Sequence, residues 1–335
     1  MSVLPDVAVI MPVLNEQNYL EAAVSAILAQ EYSGNLRIIL ALGPSTDRTN
    51  EIAKQLTEKD SRIFTVENPS GRTPDGLNAA ISLTHEQIIV RVDAHSELSE
   101  GYISTAIETL ERTGADNVGG IMGAEGISLF EQAVAAAMTS KLGVGSAAFH
   151  VGGTEGETET VYLGVFRRSA LERVGGYDPA FTRAQDWEMN YRIRSTGGKV
   201  WFNPNLFVRY RPRSSVKALA KQYFQYGQWR REVMRQHPET RKSKSSLRYF
   251  APPVAVLGIL LGLVLGIIGV TANLSILKLA WGAPLGYCVI VVLSSIALIR
   301  NAKRGFYFLP LVLFTMQLSW GLGFLLSSRK TNFSN

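Results

Sequence analysis

The chain predicts a mostly parallel, doubly wound α/β sheet followed by membrane-crossing helices. Three observations carry this. Short apolar strands alternate with helical segments from Val7 to Arg91, and such alternation pairs strands in parallel. The strand Gln87 to Val90 is rich in β-branched residues, as in a sheet covered on both faces. The apolar content is concentrated after Phe250, so a mixed-composition part precedes an apolar one. With 46% hydrophobic positions in 335 residues, the first part can bury a full core.

Taken in order, Val7 to Met11 reads as a strand ended by Pro12. Asn15 and Glu16 then open a helix with apolar residues at Leu20, Val24, Ile27 and Leu28. The second strand, Leu36 to Leu42, turns at Gly43 and Pro44 into Ser45-Thr46-Asp47-Arg48-Thr49, a run suited to capping a helix over Asn50 to Leu56. Ile63 to Val66 is a third strand. Asn68 to Pro74 is a loop leading to a helix near Leu77 to Leu83, and then comes the strand before Arg91-Val92-Asp93-Ala94-His95.

Open α/β sheets bind ligands at the C-terminal ends of their strands, where Asp93 and His95 stand. If the strand stays extended, residues two apart leave the same face, and a carboxylate oxygen and an imidazole nitrogen reach one divalent cation. The same spacing also fits a loop carboxylate near a solvated histidine.

Leu129 to Leu142 reads as a helix of small residues. Gly143 to Thr160 reads as a loop, either closing over a ligand or lying plainly on the surface. Val161 to Arg168 is an expected strand, and Gly175 to Pro179 a turn into a helix over Trp187 to Arg194. Asp186 sits at the start of that helix, and Glu188 is spaced to pair with Arg192. Val200 to Phe202 and Phe207 to Tyr210 read as two short strands. The helix Val216 to Gln236 mixes Tyr223, Tyr226 and Trp229 with Lys217, Lys221, Arg230, Arg231 and Arg235, which suits a membrane interface or an amphipathic helix packed on the sheet.

Three uncharged apolar segments follow, 250–270, 279–299 and 306–326, each near the roughly 20 residues that cross a bilayer. Arg241, Lys242, Lys244 and Arg248 precede the first, and Arg300, Lys303 and Arg304 lie between the second and third. The positive-inside rule places both flanks in the cytoplasm. Three crossings would put Arg329 and Lys330 outside, against that rule; re-entry of the third segment is the alternative.

Lys and Arg number 34 against 28 Asp and Glu, a formal +6, with the basic residues clustered between Arg183 and Arg248. That suits an anionic ligand or lipid surface, and no nucleic-acid motif accompanies it. Cys288 is the sole cysteine, which excludes an intrachain disulfide and a thiolate zinc site. The apolar start, Val7 to Leu14, lacks a basic n-region, so no signal peptide is expected and the first part is expected to stay in the cytoplasm.

Pro12-Val13-Leu14-Asn15-Glu16, the Ser45 to Thr49 turn, Asp93-Ala94-His95 and Gln185-Asp186-Trp187 occur in an order that resembles family 2 glycosyltransferases of the GT-A fold. The likeness runs from Val7 to Trp229. It is nearest to membrane-attached bacterial transferases of the succinoglycan-biosynthesis type, which also carry Asp-Ala-His in place of Asp-x-Asp. The resemblance implies a Rossmann-like GT-A domain that binds a nucleotide sugar through Pro12, Asn15, Glu16, Asp47, Arg72 and Asp93. It further implies a divalent cation, Mn²⁺ or Mg²⁺, on Asp93 and His95, with Mn²⁺ more at ease with an imidazole. Asp186 takes the place of the family's catalytic base. Gln185 and Trp187 stand on the acceptor or diphosphate side, as do Gln225 and Trp229, whose surroundings resemble the Gln-x-x-Arg-Trp motif of processive relatives with Gln228 in place of Arg.

Both roles answer a chemical need. A departing diphosphate leaves negative charge, which calls for a cation or basic groups, and Arg72 and Arg91 are diphosphate candidates or surface residues. An acceptor hydroxyl needs its proton taken. Two departures stand out. Leu42 and Gly43 occupy positions where relatives often carry an acid that contacts the uracil or its ribose, and Gln185 stands where many have Glu.

The expected organisation is a catalytic domain over 1–215, a basic and aromatic interfacial segment over 216–248, and a membrane region over 249–328. The expected activity is inverting, metal-dependent transfer from a nucleotide sugar to a hydroxyl of a lipid-linked or membrane-proximal glycan, in cell-envelope or exopolysaccharide synthesis. The catalytic domain is expected on the cytoplasmic side of the cell membrane. A polyprenyl-phosphate sugar synthase and a non-catalytic membrane scaffold are the alternatives.

Overall fold

The computed structural model describes residues 4–242 and 249–327. Lys244, Arg248, Arg329 and Lys330, which entered the topology argument, lie outside the described residues. The chain divides into two compact units, residues 1–123 with 147–211 and residues 124–146 with 212–335. The segment 124–146, which the expected boundary near 215 would assign to the catalytic domain, groups with the second unit.

The first unit runs β1 (Val7–Val13), α1 (Leu20–Leu28), β2 (Leu36–Leu42), α2 (Thr49–Lys59), β3 (Ile63–Glu67), α3 (Thr73–Ser82), β4 (Ile88–Arg91), β5 (Ser96–Leu98), α4 (Tyr102–Thr113) and β6 (Asn117–Ala124). The chain passes through the second unit's α5 (Leu129–Met138) and one-turn α6 (Lys141–Val144). It returns as α7 (Ala148–Val151), β7 (Gly156–Glu157), β8 (Val165–Arg167), α8 (Arg168–Val174), α9 (Gln185–Ser195) and β9 (Val200–Tyr210).

The described strands form one sheet in the order β3-β2-β1-β4-β8-β6-β9-β5, with β7 on β9. The first four are parallel, as the strand-helix alternation requires. Beyond β4, where the helical crossovers stop, β8 is antiparallel to both β4 and β6. Alternate residues of β1 enter opposite cores: Val7, Val9 and Met11 pack with α1 and α4, while Ala8 and Ile10 pack with α3 and α9. This two-sided burial is why the strands read as unbroken apolar runs.

The helix expected over Leu129 to Leu142 is broken into α5 and α6, β1 runs through Pro12 to Val13, and the helix expected to open at Asn15 and Glu16 begins at Leu20. Three further elements differ from expectation. The strand expected from Val161 begins only at Val165, because Leu163 (φ 60°) and Gly164 (φ 115°) turn left-handed. The two strands expected around 200–210 are one, β9. There Asn203 Oδ1 accepts the Asn205 N–H at 2.9 Å, spanning the place where Pro204 offers no donor. The loop expected over 143–160 contains α7 and β7.

In the second unit, α10 (Val216–Gln236) is followed by α11 (Ala251–Thr271), α12 (Ser275–Lys278), α13 (Gly282–Ala297) and α14 (Leu309–Leu326). A short 3₁₀ turn, Lys303–Phe308, precedes α14 and replaces the first residues of the third expected segment. Among the described residues, three stretches are long and apolar enough to cross a membrane: Ala251–Thr271, Ser275–Ala297 and Lys303–Leu326. Leu261 and Val289 exemplify the apolar side chains exposed along α11 and α13. Small residues allow close helix approach: Gly227 of α10 abuts the Trp320 carbonyl, Gly323 abuts that of Phe224, and Gly321 abuts that of Pro252. The last turns of α14 therefore lie beside the first turn of α11, with Phe250 and Phe324 edge to face at 5.8 Å.

Strand β6 meets β9 so closely that a Cβ on Gly120 would lie 1.8 Å from the Leu206 carbonyl oxygen. Gly120→Ala is expected to cost roughly 3 kcal/mol, near the upper end for overpacking. Gly114→Ala, left-handed at φ 66° with nothing within 4 Å, should cost only about 1 kcal/mol. Thermal unfolding of the two variants side by side checks this ranking.

Candidate active site

The C-terminal ends of β1, β2 and β4 carry the site. The loop after β1 is stitched to the loop after β2. The Asn15 N–H donates to Ser45 Oγ (3.0 Å), the Thr46 N–H to Asn15 Oδ1 (2.8 Å) and the Glu16 N–H to Thr49 Oγ1 (2.7 Å). Asp47 accepts the Thr49 N–H on one oxygen and the Gln17 N–H on the other. Asn15 and Asp47, expected at the nucleotide sugar, thus spend these groups on loop architecture. Pro12 remains in β1, paired with Ala41.

Arg72 ion-pairs with Asp75 (2.7 Å) and donates to the Pro179 carbonyl (3.3 Å), so much of its guanidinium is committed within the protein.

At the end of β4 the structure corrects the strand geometry. The strand stops at Arg91, and Asp93 to Ser96 form a turn in which the Ser96 N–H donates to the Asp93 carbonyl (2.9 Å). Asp93 and His95 are therefore presented by a turn, not by two same-side positions of a strand. The two-residue spacing instead joins Arg91 to Asp93. Nε and Nη2 of Arg91 reach Asp93 Oδ1 at 3.1 and 3.0 Å, and Nη1 donates to Asp186 Oδ1.

Arg91 is only 3% exposed and lies over the Tyr177 ring. It is not a surface residue, and its guanidinium is committed to Asp93 and Asp186. Burial alone would lower its pKa, but Asp186 and Asp93 carry it well above its ordinary value.

Asp186 is held from three sides. It is the second residue of α9, next to the helix N-terminus that Ala184 opens at φ 58°. It takes the Arg91 guanidinium, and it accepts the Leu163 backbone N–H. Burial nonetheless outweighs Arg91 and pushes the Asp186 carboxyl up to about 6, with the Asp93 charge adding to the rise. Among the described non-glycine residues of the first unit, positive φ occurs at Leu163 and Ala184, which serve Asp186, and at Asn15, which precedes Glu16. Strained backbone collects where side chains must be aimed.

His95 donates or accepts through Nδ1 to Glu16 Oε1 at 2.9 Å and meets Tyr210 edge-on at 5.8 Å. The Tyr162 hydroxyl lies 3.1 Å from Ser96 Oγ. Gln185 is buried, and Trp187 stacks on Tyr191 at 5.6 Å. Glu188 pairs with Arg192 at 2.6 Å, as the spacing implied. Gln225 and Trp229 belong to α10 in the second unit, half-buried and buried respectively.

A carboxylate on Nδ1 fixes a histidine's tautomer and leaves Nε2 with its lone pair, a frequent arrangement behind metal ligands. His95 Nε2 and Asp93 Oδ2 have no hydrogen-bond partner among the described residues. Two oxygen and nitrogen donors fit Mn²⁺ or Mg²⁺. No group of three or more His, Cys, Asp or Glu among the described residues could hold an ion.

The glycosyl transferase family 2 model matches residues 8–175, half of the chain. The chain belongs to this family. It is 31% identical over 319 residues to the succinoglycan biosynthesis protein ExoA of Rhizobium meliloti, covering 94% of this chain and 93% of the relative. It is 27% identical over 233 residues to a dolichyl N-acetyl-α-D-glucosaminyl phosphate 3-β-D-2,3-diacetamido-2,3-dideoxy-β-D-glucuronosyltransferase of Methanococcus voltae, covering 66% and 71%. Among solved structures, the mannosyltransferase PcManGT of Pyrobaculum calidifontis in complex with GDP-Man and Mn²⁺ superposes with a TM-score of 0.61. It shares 17% identity and covers 97% of this chain and 90% of its own, a likeness of fold. The transferase is thus an enzyme with the GT-A fold and a candidate membrane region, and the scaffold reading is set aside.

Removing Arg91 leaves two half-buried carboxylates without a countercharge. Arg91→Met is expected to lose about 3 kcal/mol, the lower end of the range for breaking a buried pair from one side. Asp186 has a folded pKa of about 6, above the 3.8 of the free group. The native state therefore binds more protons between these values, and the Asp186 contribution to stability falls as pH rises from about 4 to about 6. Arg91 lowers the Asp186 pKa, so its removal raises that pKa further and the variant loses more stability than the wild type as pH rises; its deficit should be larger at pH 8 than at pH 5, as thermal unfolding at the two pH values will report.

Proposed function

We propose that this transferase moves a sugar, with inversion, from a nucleotide-sugar donor to a hydroxyl of a lipid-linked or membrane-proximal glycan. The observation that carries the reading is the bridge of buried Arg91, which holds the half-buried Asp93 and Asp186 together at the sheet's C-terminal end. Asp93 and His95 would hold Mn²⁺ or Mg²⁺, with Glu16 orienting the imidazole. The ion, when bound, supplies positive charge that stabilises the departing diphosphate.

The chain's own residues do the rest. Asp186 accepts the acceptor hydroxyl's proton, and its raised pKa brings it closer to the task than a free carboxylate. Arg91 and the Leu163 N–H fix one geometry for that carboxylate. Attack from the face opposite the leaving diphosphate, in one displacement, inverts the anomeric centre. A nucleotide-sugar donor is supported by the PcManGT complex, and a lipid-linked glycan acceptor by the name of the Methanococcus relative. That name describes transfer onto a lipid-phosphate-linked sugar, which favours a hydroxyl acceptor over the lipid phosphate.

α11 and α13 supply a crossing hairpin, with the catalytic region and the basic flanks in the cytoplasm. α14 runs beside the basic helix α10 and ends against the start of α11, so it returns to the cytoplasmic side. The 216–248 segment serves as the interfacial element. Anchoring holds the site near its lipid substrate and raises the effective concentration.

Release of nucleoside diphosphate by the membrane-embedded chain, over a panel of nucleotide sugars, should require a divalent ion and a lipid-linked acceptor. Asp186→Asn should lower kcat by roughly a thousandfold, and wild-type kcat/KM should fall below a pH of about 6 as Asp186 protonates. Retention of rate in the variant would instead favour a lipid-phosphate acceptor, which needs no base.

For topology, a cysteine at exposed Leu326 in a Cys288→Ser background should react with a membrane-impermeant maleimide in inverted vesicles and not in intact spheroplasts. The opposite pattern would make α14 a full crossing.

A further inference from the structure

The second unit contains a basic cavity that the transfer reaction does not use. Arg231, Met234 and Arg235 of α10, Arg241, Phe250 and Phe324 line a space of about 380 Å³. No carboxylate lines it, although Glu232 pairs with Arg235 at 3.1 Å.

Each arginine is anchored at a helix end, where the last carbonyls have no intrahelical partner and accept from side chains. Arg231 Nη1 donates to the Phe324 and Leu325 carbonyls at 2.9 and 2.6 Å. Arg235 Nη2 donates to the Ser327 carbonyl at 2.7 Å, and Arg241 Nε to that of Met234 at 2.8 Å. Anchoring spends only part of each fork. Nε and Nη2 of Arg231, and both Nη groups of Arg241, find no acceptor among the described residues. Burial, and then the neighbouring Arg235 charge, lower the Arg231 pKa, so positive charge here is undercompensated. Fixed guanidinium forks with unspent donors match phosphate oxygens.

The opposite wall is apolar. Phe250 opens α11 and Phe324 lies in the last turn of α14, while Tyr249 stacks on Trp320 at 6.3 Å. Aromatic side chains at the ends of apolar helices mark headgroup depth. A free anion would gain nothing from that wall, whereas the first methylenes of a lipid tail would.

We propose that this cavity holds the phosphate of an anionic membrane lipid, gripped by Arg231 and Arg241, with Met234, Phe250 and Phe324 along the start of its tail. The inference rests on reading α11 as membrane-spanning. It does not depend on the catalytic assignment, because binding is read without turnover.

The test uses the full chain, delipidated in detergent, with retained lipid counted by native mass spectrometry. The probes are undecaprenyl phosphate, phosphatidylglycerol, phosphatidylcholine and inorganic phosphate. One tightly held anionic lipid is expected. Its affinity should drop at least about tenfold in Arg241→Gln and in Phe250→Glu, the latter placing a carboxylate in the cavity while keeping every arginine anchor. The preferred anionic probe tells a polyprenyl phosphate from a bulk phospholipid. Equal retention of phosphatidylcholine, equal competition by inorganic phosphate, or unchanged binding in folded Phe250→Glu would each overturn the proposal.

Discussion

A single buried guanidinium organises the catalytic end of this molecule. Arg91 closes a strand whose other residues are apolar and covered on both faces, so its charge has no route to water and must be met inside the protein. Asp93 meets it from the following turn and Asp186 from the first turn of a helix far along the chain. The bridge therefore ties the parallel half of the sheet, which carries Asp93, to the antiparallel half's α9, which carries Asp186. Left-handed Leu163 donates its N–H to Asp186, and left-handed Ala184 opens the helix that carries it.

A second polar pair, Glu16 with His95, does a comparable job beside the end of β1. Glu16 comes from the loop after β1, and that loop is tied to the one after β2 by reciprocal hydrogen bonds among Asn15, Ser45 and Thr46. The imidazole is thereby aimed by the sheet's first two crossovers, while its own turn fixes where it starts. Loops supply the chemistry and the parallel strands supply the rigidity.

Much of this was legible in the sequence. β-branched runs separated by helical periodicity identified β1, β2, β3 and β4 to within a residue or two, because two-sided burial leaves an unbroken apolar signature. The order of the Asn15-Glu16, Asp93-Ala94-His95 and Asp186 motifs indicated the family. What escaped were long-range pairings and backbone conformation. The Arg91 link to Asp186 spans 95 positions, and nothing local to either residue encodes it. The Arg91 link to Asp93 was visible in principle: a charged residue ending a doubly covered strand needs a partner, and its i+2 neighbour is an aspartate. Left-handed Leu163 carries no signal beyond the glycine after it, so the sequence reads β8 as longer than it is. The α14 segment reads as a plain crossing helix; the glycines that let α10 and α11 pack on it are visible as letters, but not as contacts.

The central claim is that Arg91 stays between the two carboxylates while the donor is bound. The measurement that addresses it most directly is a cryo-EM structure of the full chain in nanodiscs with a non-hydrolysable nucleotide sugar and Mn²⁺. The account predicts density joining Arg91 to both Asp93 and Asp186, with the ion against Asp93 and His95. An Arg91 side chain turned onto the diphosphate, with Asp186 released from it, would contradict the account.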